Sequence, residues 1–120
     1  KKIMNDILEI WVKKIRENDA IQVSELYHKN GLLLGTFSDI ERHGRELIFS
    51  YFENLLKSKV DVEIISQHKY KTDTITTSSG FYNFIVNGKI IRARYSFVFL
   101  KVEDKWKILS HHSSVLPEKN

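Results

Sequence analysis

The residues with the clearest capacity for chemistry lie near the end of the chain, where His111 and His112 are adjacent and Ser113 and Ser114 follow. Neighbouring residues on a strand point to opposite faces, so the two histidines cannot ligate one metal. For the same reason neither serine forms a nucleophile and base pair with His112. No His-x-His pair, HExxH motif or acid-rich cluster accompanies them, so we expect no catalytic motif, no metal and no other cofactor.

Two arginines, Arg92 and Arg94, lie on the polar side of the strand predicted just before these histidines. The residues on the other side of that strand are all apolar and are expected to face the helices: Ile91, Ala93, Tyr95, Phe97 and Phe99. An arginine on the polar side is either held by a carboxylate at a surface or interface, or recognises an anionic ligand through two hydrogen bonds.

The last strand has mixed character on both of its sides. One side is predicted to hold Trp106, Ile108, Ser110 and His112, and the other Leu109, His111 and Ser113. A small monomer needs only one buried face, so a second partly apolar face predicts packing against another subunit. The residues assigned to this interface, or to anion binding, are Arg92, Arg94, Ser110 and His112.

The elements that must position these residues are three helices and five strands. Apolar residues recur with helical spacing over 3–17, and a shorter helix runs from Ala20 to Tyr27, capped by Asn18 or Asp19. A short strand at 32–34 and a loop at 35–43 precede a third helix over 45–57. Alternation then predicts strands at 60–64, 74–86, 90–102 and 106–115, with a tight hairpin at Asn87-Gly88.

This order predicts one α+β domain over residues 1–120, in which a bent antiparallel sheet curls around helices on one face. The chain is 42% hydrophobic and 28% charged, with no cysteine, so disulfides, thiolate zinc sites and cysteine nucleophiles are excluded. Its net charge of +4 is spread along the chain, and no apolar run could span a membrane. We therefore expect no nucleic-acid or membrane partner.

The first residue is Lys1 rather than Met, which we interpret as loss of a tag, leader or upstream domain. The compartment is left open between a cytoplasmic location and export after removal of a leader. In either case we expect a soluble protein.

Several segments resemble a bacterial family of the NTF2-like superfamily, the SgcJ/EcaC type, which is similar to the calcium/calmodulin-dependent kinase II association domain. The resemblance covers essentially the whole chain and is carried by the following stretches: 80–84, 93–98, 105–108, 111–114, 116–118 and the pair Tyr51-Phe52. It implies a cystatin/NTF2-like cone, a pocket between sheet and helices, and a homodimer or larger ring. Where the kinase hub relatives have pocket arginines, this sequence has Phe97 and Ser113.

With that fold, the expected pocket takes a small apolar or anionic ligand and is lined by these residues: Trp11, Tyr27, Phe52, Tyr95, Phe97, His111 and Ser113. The first functional hypothesis is a non-catalytic small-molecule-binding or self-association domain. The alternative is a small SnoaL-like or ketosteroid-isomerase-like enzyme acting on an apolar molecule, with His111 in the reaction. Such an enzyme needs a carboxylate base, and Asp39 and Glu41 follow the short strand out of register.

Overall fold

The computed structural model describes residues 6–118. The helices are α1 (Ile7–Arg16), α2 (Ala20–Glu25) and α3 (Arg45–Leu55). The strands are β1 (Tyr27–Leu34), β2 (Arg42–His43), β3 (Val60–Ile64), β4 (His68–Lys71), β5 (Ile75–Val86), β6 (Lys89–Val102) and β7 (Lys105–Val115).

The helices form where apolar spacing and caps predicted them. The Asp6 carboxylate accepts a hydrogen bond from the Glu9 amide at 3.0 Å and begins α1, while Asp19 caps α2 through the Gln22 amide at 3.0 Å. The part of the first predicted helix over 3–5 lies outside the described residues. The second helix ends earlier than predicted, because Tyr27 already belongs to β1.

The four long strands are confirmed to within one residue at each end. The two-residue turn between β5 and β6 has positive φ at both Asn87 (50°) and Gly88 (84°), which matches the right-handed twist of a hairpin. Three strand features were not predicted. β1 is eight residues long, whereas the sequence predicted a strand only at 32–34, and β2 and β4 are short strands without alternating apolar residues.

The strands form one sheet in the order β2-β1-β7-β6-β5-β3, and β4 pairs with another part of β5 beside β3. All neighbours are antiparallel except β1 and β7, which run parallel. The predicted α+β class and curved, open sheet are therefore confirmed, with this one parallel pair as the difference. The last strand of the chain lies in the middle of the sheet, between the first strand and β6.

A β-bulge in β7 changes which side of that strand faces the core. Phe99 pairs with Ile108, whereas Val98 pairs with Ser110, so Leu109 is the additional residue. Ile108 consequently lies on the same side as His111 and Ser113, and all three are buried. The predicted grouping of Ile108 with Ser110 and His112 was wrong, because strict alternation does not survive an inserted residue.

The core lies between the helices and the concave face of the sheet. Four residues of α1 face it: Leu8, Trp11, Val12 and Ile15. The sheet contributes alternate residues of β5 and β6, with Tyr82 and Phe97 fully buried. Within residues 6–118 no helix is both long and apolar enough to cross a membrane.

Candidate functional site

The seven residues predicted to line a pocket come together in the core beneath the helices. None is more than 5% exposed, and none lines the surface cavities that flank this region. α1 supplies Trp11, the start of β1 supplies Tyr27, and α3 supplies Phe52, whose ring centroid is 5.7 Å from that of Tyr27. The remaining four come from neighbouring positions on β6 and β7. These side chains fill the space that a ligand would occupy, so a ligand could bind there only by displacing them.

His111 lies at the centre of this cluster and is bonded through both ring nitrogens. Its Nδ1 atom is 2.8 Å from the Tyr27 hydroxyl oxygen, and that oxygen also accepts the indole N–H of Trp11 at 3.2 Å. The indole nitrogen can only donate, so the Tyr27 proton is available for Nδ1. Nδ1 is therefore the acceptor nitrogen of the ring.

The second nitrogen of His111 leads to a chain of hydroxyl groups. Nε2 lies 3.1 Å from the hydroxyl oxygen of Tyr82, which donates its own proton to Ser113 Oγ at 2.6 Å. Because the Tyr82 proton is already committed, Nε2 must carry the hydrogen and donate it. Ser113 is hydrogen-bonded in turn to Thr36, a half-buried residue after β1.

In the resulting network each group from Trp11 to Tyr82 donates to the next, ending at Ser113, and a neutral His111 lies in the middle. Burial, and then the neighbouring His112, lower the pKa of His111 to about 3. Burial also raises the pKa values of Tyr27 and Tyr82 well above the usual tyrosine range. No member of this line is charged at neutral pH, so the network orients groups without storing charge.

Aromatic rings close off His111 from the sides. The Phe97 ring stacks on the imidazole with centroids 3.9 Å apart, and Trp11 meets it edge-on at 5.4 Å. Every buried side-chain nitrogen and oxygen in residues 6–118 has a hydrogen-bond partner. In the same part of the chain no group of three histidine, aspartate or glutamate side chains is placed to hold a metal ion.

Tyr82 and Thr36 belong to the network but were not selected from the sequence. Tyr82 could have been found, because it alternates with Phe84 on the core side of β5 and combines an aromatic ring with a hydroxyl group that needs a partner when buried. Thr36 follows β1 in an irregular segment, and no local pattern indicates that it would reach Ser113.

The carboxylates considered for a catalytic base lie away from this cluster. Asp39 and Glu41 are exposed in the segment between β1 and β2. The Asp39 side chain borders a surface depression with Thr36 and Arg42. The buried cluster itself therefore contains no carboxylate.

The four residues assigned to an interface lie together on the outer, convex face of the sheet. Arg94 is aligned with Phe81 on β5 and Ser114 on β7, while Arg92 is aligned with Asn83. Ser110 and His112 occupy the same face of β7. Neither arginine forms an ion pair with a carboxylate among the residues the structure describes.

Apolar side chains surround these arginines on what we call the outer face, the convex side of β5, β6 and β7. Phe81 is 46% exposed and Ile90 is 60% exposed. Ile85 pairs with Ile90 across the two strands, and Val98 lies in the same row as Ser110. No described helix packs on this face, since all three helices lie against the concave side.

This architecture places the chain in the NTF2-like class with a cystatin-like fold. A sequence profile of the calcium/calmodulin dependent protein kinase II association domain matches residues 1–117. The chain therefore belongs to that family. No curated protein matches it significantly by sequence.

Solved structures support both the fold class and the family. A Xanthomonas campestris protein, provisionally identified as an association domain of this kinase type, is 34% identical, with a TM-score of 0.88 over 94% of this chain and 85% of that one. An NTF2-like protein from Novosphingobium aromaticivorans is 12% identical, with a TM-score of 0.79 over 95% and 80%. A provisional ketosteroid isomerase from Parabacteroides distasonis is 17% identical, with a TM-score of 0.80 over 97% and 93%. The last two show similarity of fold alone.

Proposed function

We propose that this protein is a self-association domain whose outer face is the contact between identical copies. The observation that carries the proposal is the pair of exposed apolar residues, Phe81 and Ile90, on a sheet face that no described helix covers. One face of an antiparallel sheet commonly meets water, but it is then polar. Apolar residues beside unpaired arginines are more typical of a contact surface, where aromatic and arginine side chains are enriched.

Charge on the same face supports a contact between identical copies. Glu63 pairs with Asn83 across β3 and β5, and Asn83 pairs with Arg92 across β5 and β6, so a carboxylate and an arginine lie in one row. In a two-fold contact the same patch of each copy faces the other, so the arginine of one row can lie opposite the carboxylate of the partner's row. Arg92, which has no ion pair within residues 6–118, would then have the partner's Glu63 to bind.

The family assignment supports self-association, because the matched family is named as an association domain. The enzyme alternative has weaker support. Proton abstraction beside a carbonyl needs a base that faces the substrate, whereas His111 is buried with both nitrogens bonded, and Asp39 and Glu41 are exposed on a loop. We therefore treat self-association as the function and the buried histidine as a structural group.

The test is the molar mass in solution, measured by sedimentation velocity over a range of protein concentrations. We expect the wild type to have a mass at least twice the 14.1 kDa of one chain. Phe81→Glu and Ser110→Glu should each weaken association by about a hundredfold or more, since each buries an unpaired charge in the contact.

The matched control is Ile21→Glu, which places the same charge at an exposed isoleucine of α2, 59% exposed and outside the outer face. This variant should assemble like the wild type. Circular dichroism checks that all three variants are folded. A wild type that stays at 14.1 kDa at high concentration, or a Phe81→Glu protein with unchanged mass, would contradict the proposal.

A further inference from the structure

A second feature, remote from the buried histidine, is a cavity of about 420 Å³ between the first turns of α1 and one end of the sheet. Its apolar wall consists of Ile7 and Ile10 from α1, Leu26 before β1, Phe99 from β6 and Trp106 from β7. This volume falls within the range of small-molecule sites, which is about 300–1,000 Å³. The wall is half open, since Ile7, Ile10, Leu26 and Trp106 are only partly buried.

The rim of this cavity is strongly basic. Four lysines border it, Lys69 and Lys71 from β4 and Lys105 and Lys107 from the start of β7, against a single carboxylate, that of Asp6. Asp6 is already committed to Lys69, whose ammonium nitrogen is 3.1 Å away. Excess positive charge therefore remains at the other three lysines.

None of these three lysines forms an ion pair with a carboxylate in residues 6–118. Lys107 donates to the backbone carbonyl of Glu25 at 2.9 Å. Burial, then Arg45 and Lys105, lower its pKa, against a smaller opposite effect of the Glu25 carboxylate. The ammonium nitrogen of Lys71 is 5.9 Å from the centroid of the Trp106 ring, where it meets the face of an aromatic system. No ion pair is formed by Lys105.

The order Lys105-Trp106-Lys107 places an aromatic side chain between two basic ones at the mouth of the cavity. The indole supplies apolar surface, and the lysine on either side supplies a charge with a flexible stem that can reach the mouth of the cavity. Like charges held close together repel one another, and an anion bound between them would relieve that repulsion. An apolar wall with a cationic rim is complementary to a molecule that has an apolar body and an anionic head.

We propose that this cavity binds a small amphipathic carboxylate, with its apolar body against Trp106 and Phe99 and its head group between Lys71, Lys105 and Lys107. The cavity is lined by none of the residues assigned to the contact between copies, which are Phe81, Ile90, Arg92, Arg94, Ser110 and His112. It is therefore independent of self-association, and either proposal can fail without the other.

The test compares octanoate with 1-octanol, two probes with the same eight-carbon chain and different head groups. Trp106 reports binding by its fluorescence, because it lines the cavity, whereas the other tryptophan, Trp11, is fully buried. We expect octanoate to bind at least about tenfold more tightly than 1-octanol, as one charge-assisted contact is worth about one decade. Trp106→Phe should remove the fluorescence change.

The double variant Lys71→Gln/Lys105→Gln keeps long side chains but removes two charges from the rim. It should lower octanoate affinity about tenfold or more and leave 1-octanol unchanged. The control is Lys89→Gln, which changes an exposed lysine at the opposite end of β6 and should bind octanoate normally. Equal affinity for the two probes, or octanoate binding that survives the double substitution, would overturn the proposal.

Discussion

His111 is kept neutral by the pattern of its hydrogen bonds as well as by burial. A protonated ring would have two donors, and the Tyr27 oxygen would then receive hydrogens from both Trp11 and His111. The Tyr27 proton would lose its acceptor inside the core. Protonation therefore costs a broken hydrogen bond in addition to the desolvation of a charge.

Stability should for this reason depend on pH in the mildly acidic range. The pKa of a histidine in the unfolded chain is about 6.5, and that of His111 in the folded protein is about 3. Below pH 6.5 the unfolded chain takes up a proton that the folded protein does not, so the free energy of unfolding falls as pH decreases. Between pH 7 and pH 5 we expect a loss of about 2 kcal/mol, measured by urea denaturation.

His111→Gln tests the origin of this loss, because glutamine can keep a donor and an acceptor without titrating. Its stability should change much less between pH 7 and pH 5, whereas His68→Gln, at an exposed position on β4, should behave as the wild type. Should the glutamine variant not fold, the imidazole nitrogen resonances of the wild type give the same answer. A His111 ring that is charged at pH 5 would contradict the assignment.

Local sequence signals predicted most of the helices and strands, but few of the contacts between strands that bring the site residues together. Caps, helical spacing and the Asn87-Gly88 turn act over a few residues, so α1, α2, α3 and the long hairpin could be recognised. The bulge at Leu109 could not, because it is fixed by the partner strand. Without the bulge, His111 and Ser113 were still assigned to the side of β7 that faces the helices, as pocket residues, but Ile108 was placed on the wrong face.

Tertiary pairing explains the other differences. β1 extends well beyond its apolar residues 32–34, because Tyr27 also pairs with β7, with a register shift between the two paired parts. β4 has four exposed residues and exists because β5 extends beyond the end of β3 and offers a free edge. Such strands depend on a neighbour far away in the sequence, so no local pattern marks them.

The corner where β5 exchanges β3 for β4 as its partner depends on Gly80. A Cβ atom added there would lie 2.2 Å from the carbonyl oxygen of Ser66, which also accepts the hydroxyl proton of Tyr95 at 2.8 Å. Gly80→Ala must push this connection away and disturb that bond. We expect a loss of about 1–3 kcal/mol in the free energy of unfolding, measured in urea.

Ser79→Ala is the companion substitution on the neighbouring residue. It removes only a partly exposed hydrogen bond to Ser96, at 2.9 Å, and should cost no more than about 1 kcal/mol. Equal effects of the two alanines would show that the close approach at Gly80 does not constrain the corner.

For the whole molecule, the sheet separates three roles in space. Its concave face carries the hydrogen-bonded core around His111, one end of that face opens into the lysine-rimmed cavity, and the convex face carries Phe81, Ile90 and Arg94. Helices cover the core around His111, lysine side chains border the cavity, and no described helix covers the convex face. This division is why a substitution on one surface can be matched by a control on another.

One shared core predicts one cooperative unfolding transition for the chain, as expected of a single domain over residues 1–120. In urea, tryptophan fluorescence and far-UV circular dichroism should give coincident curves. The Trp106→Phe variant restricts the fluorescence signal to Trp11, in the centre of the core. A midpoint that rises with protein concentration is expected for an associating chain, whereas two separated transitions would contradict the single domain.

The central position of β7 also determines the order in which the chain can fold. β1 and β6 are both complete in sequence before residue 105, yet each lacks a neighbour until β7 enters between them, parallel to one and antiparallel to the other. During synthesis, the edges of β1 and β6 that will meet β7 remain unpaired until residues 105–115 have been made. Folding is therefore not vectorial. Until β7 joins the sheet, these unpaired edges can pair with other chains, so an incomplete chain is prone to aggregation.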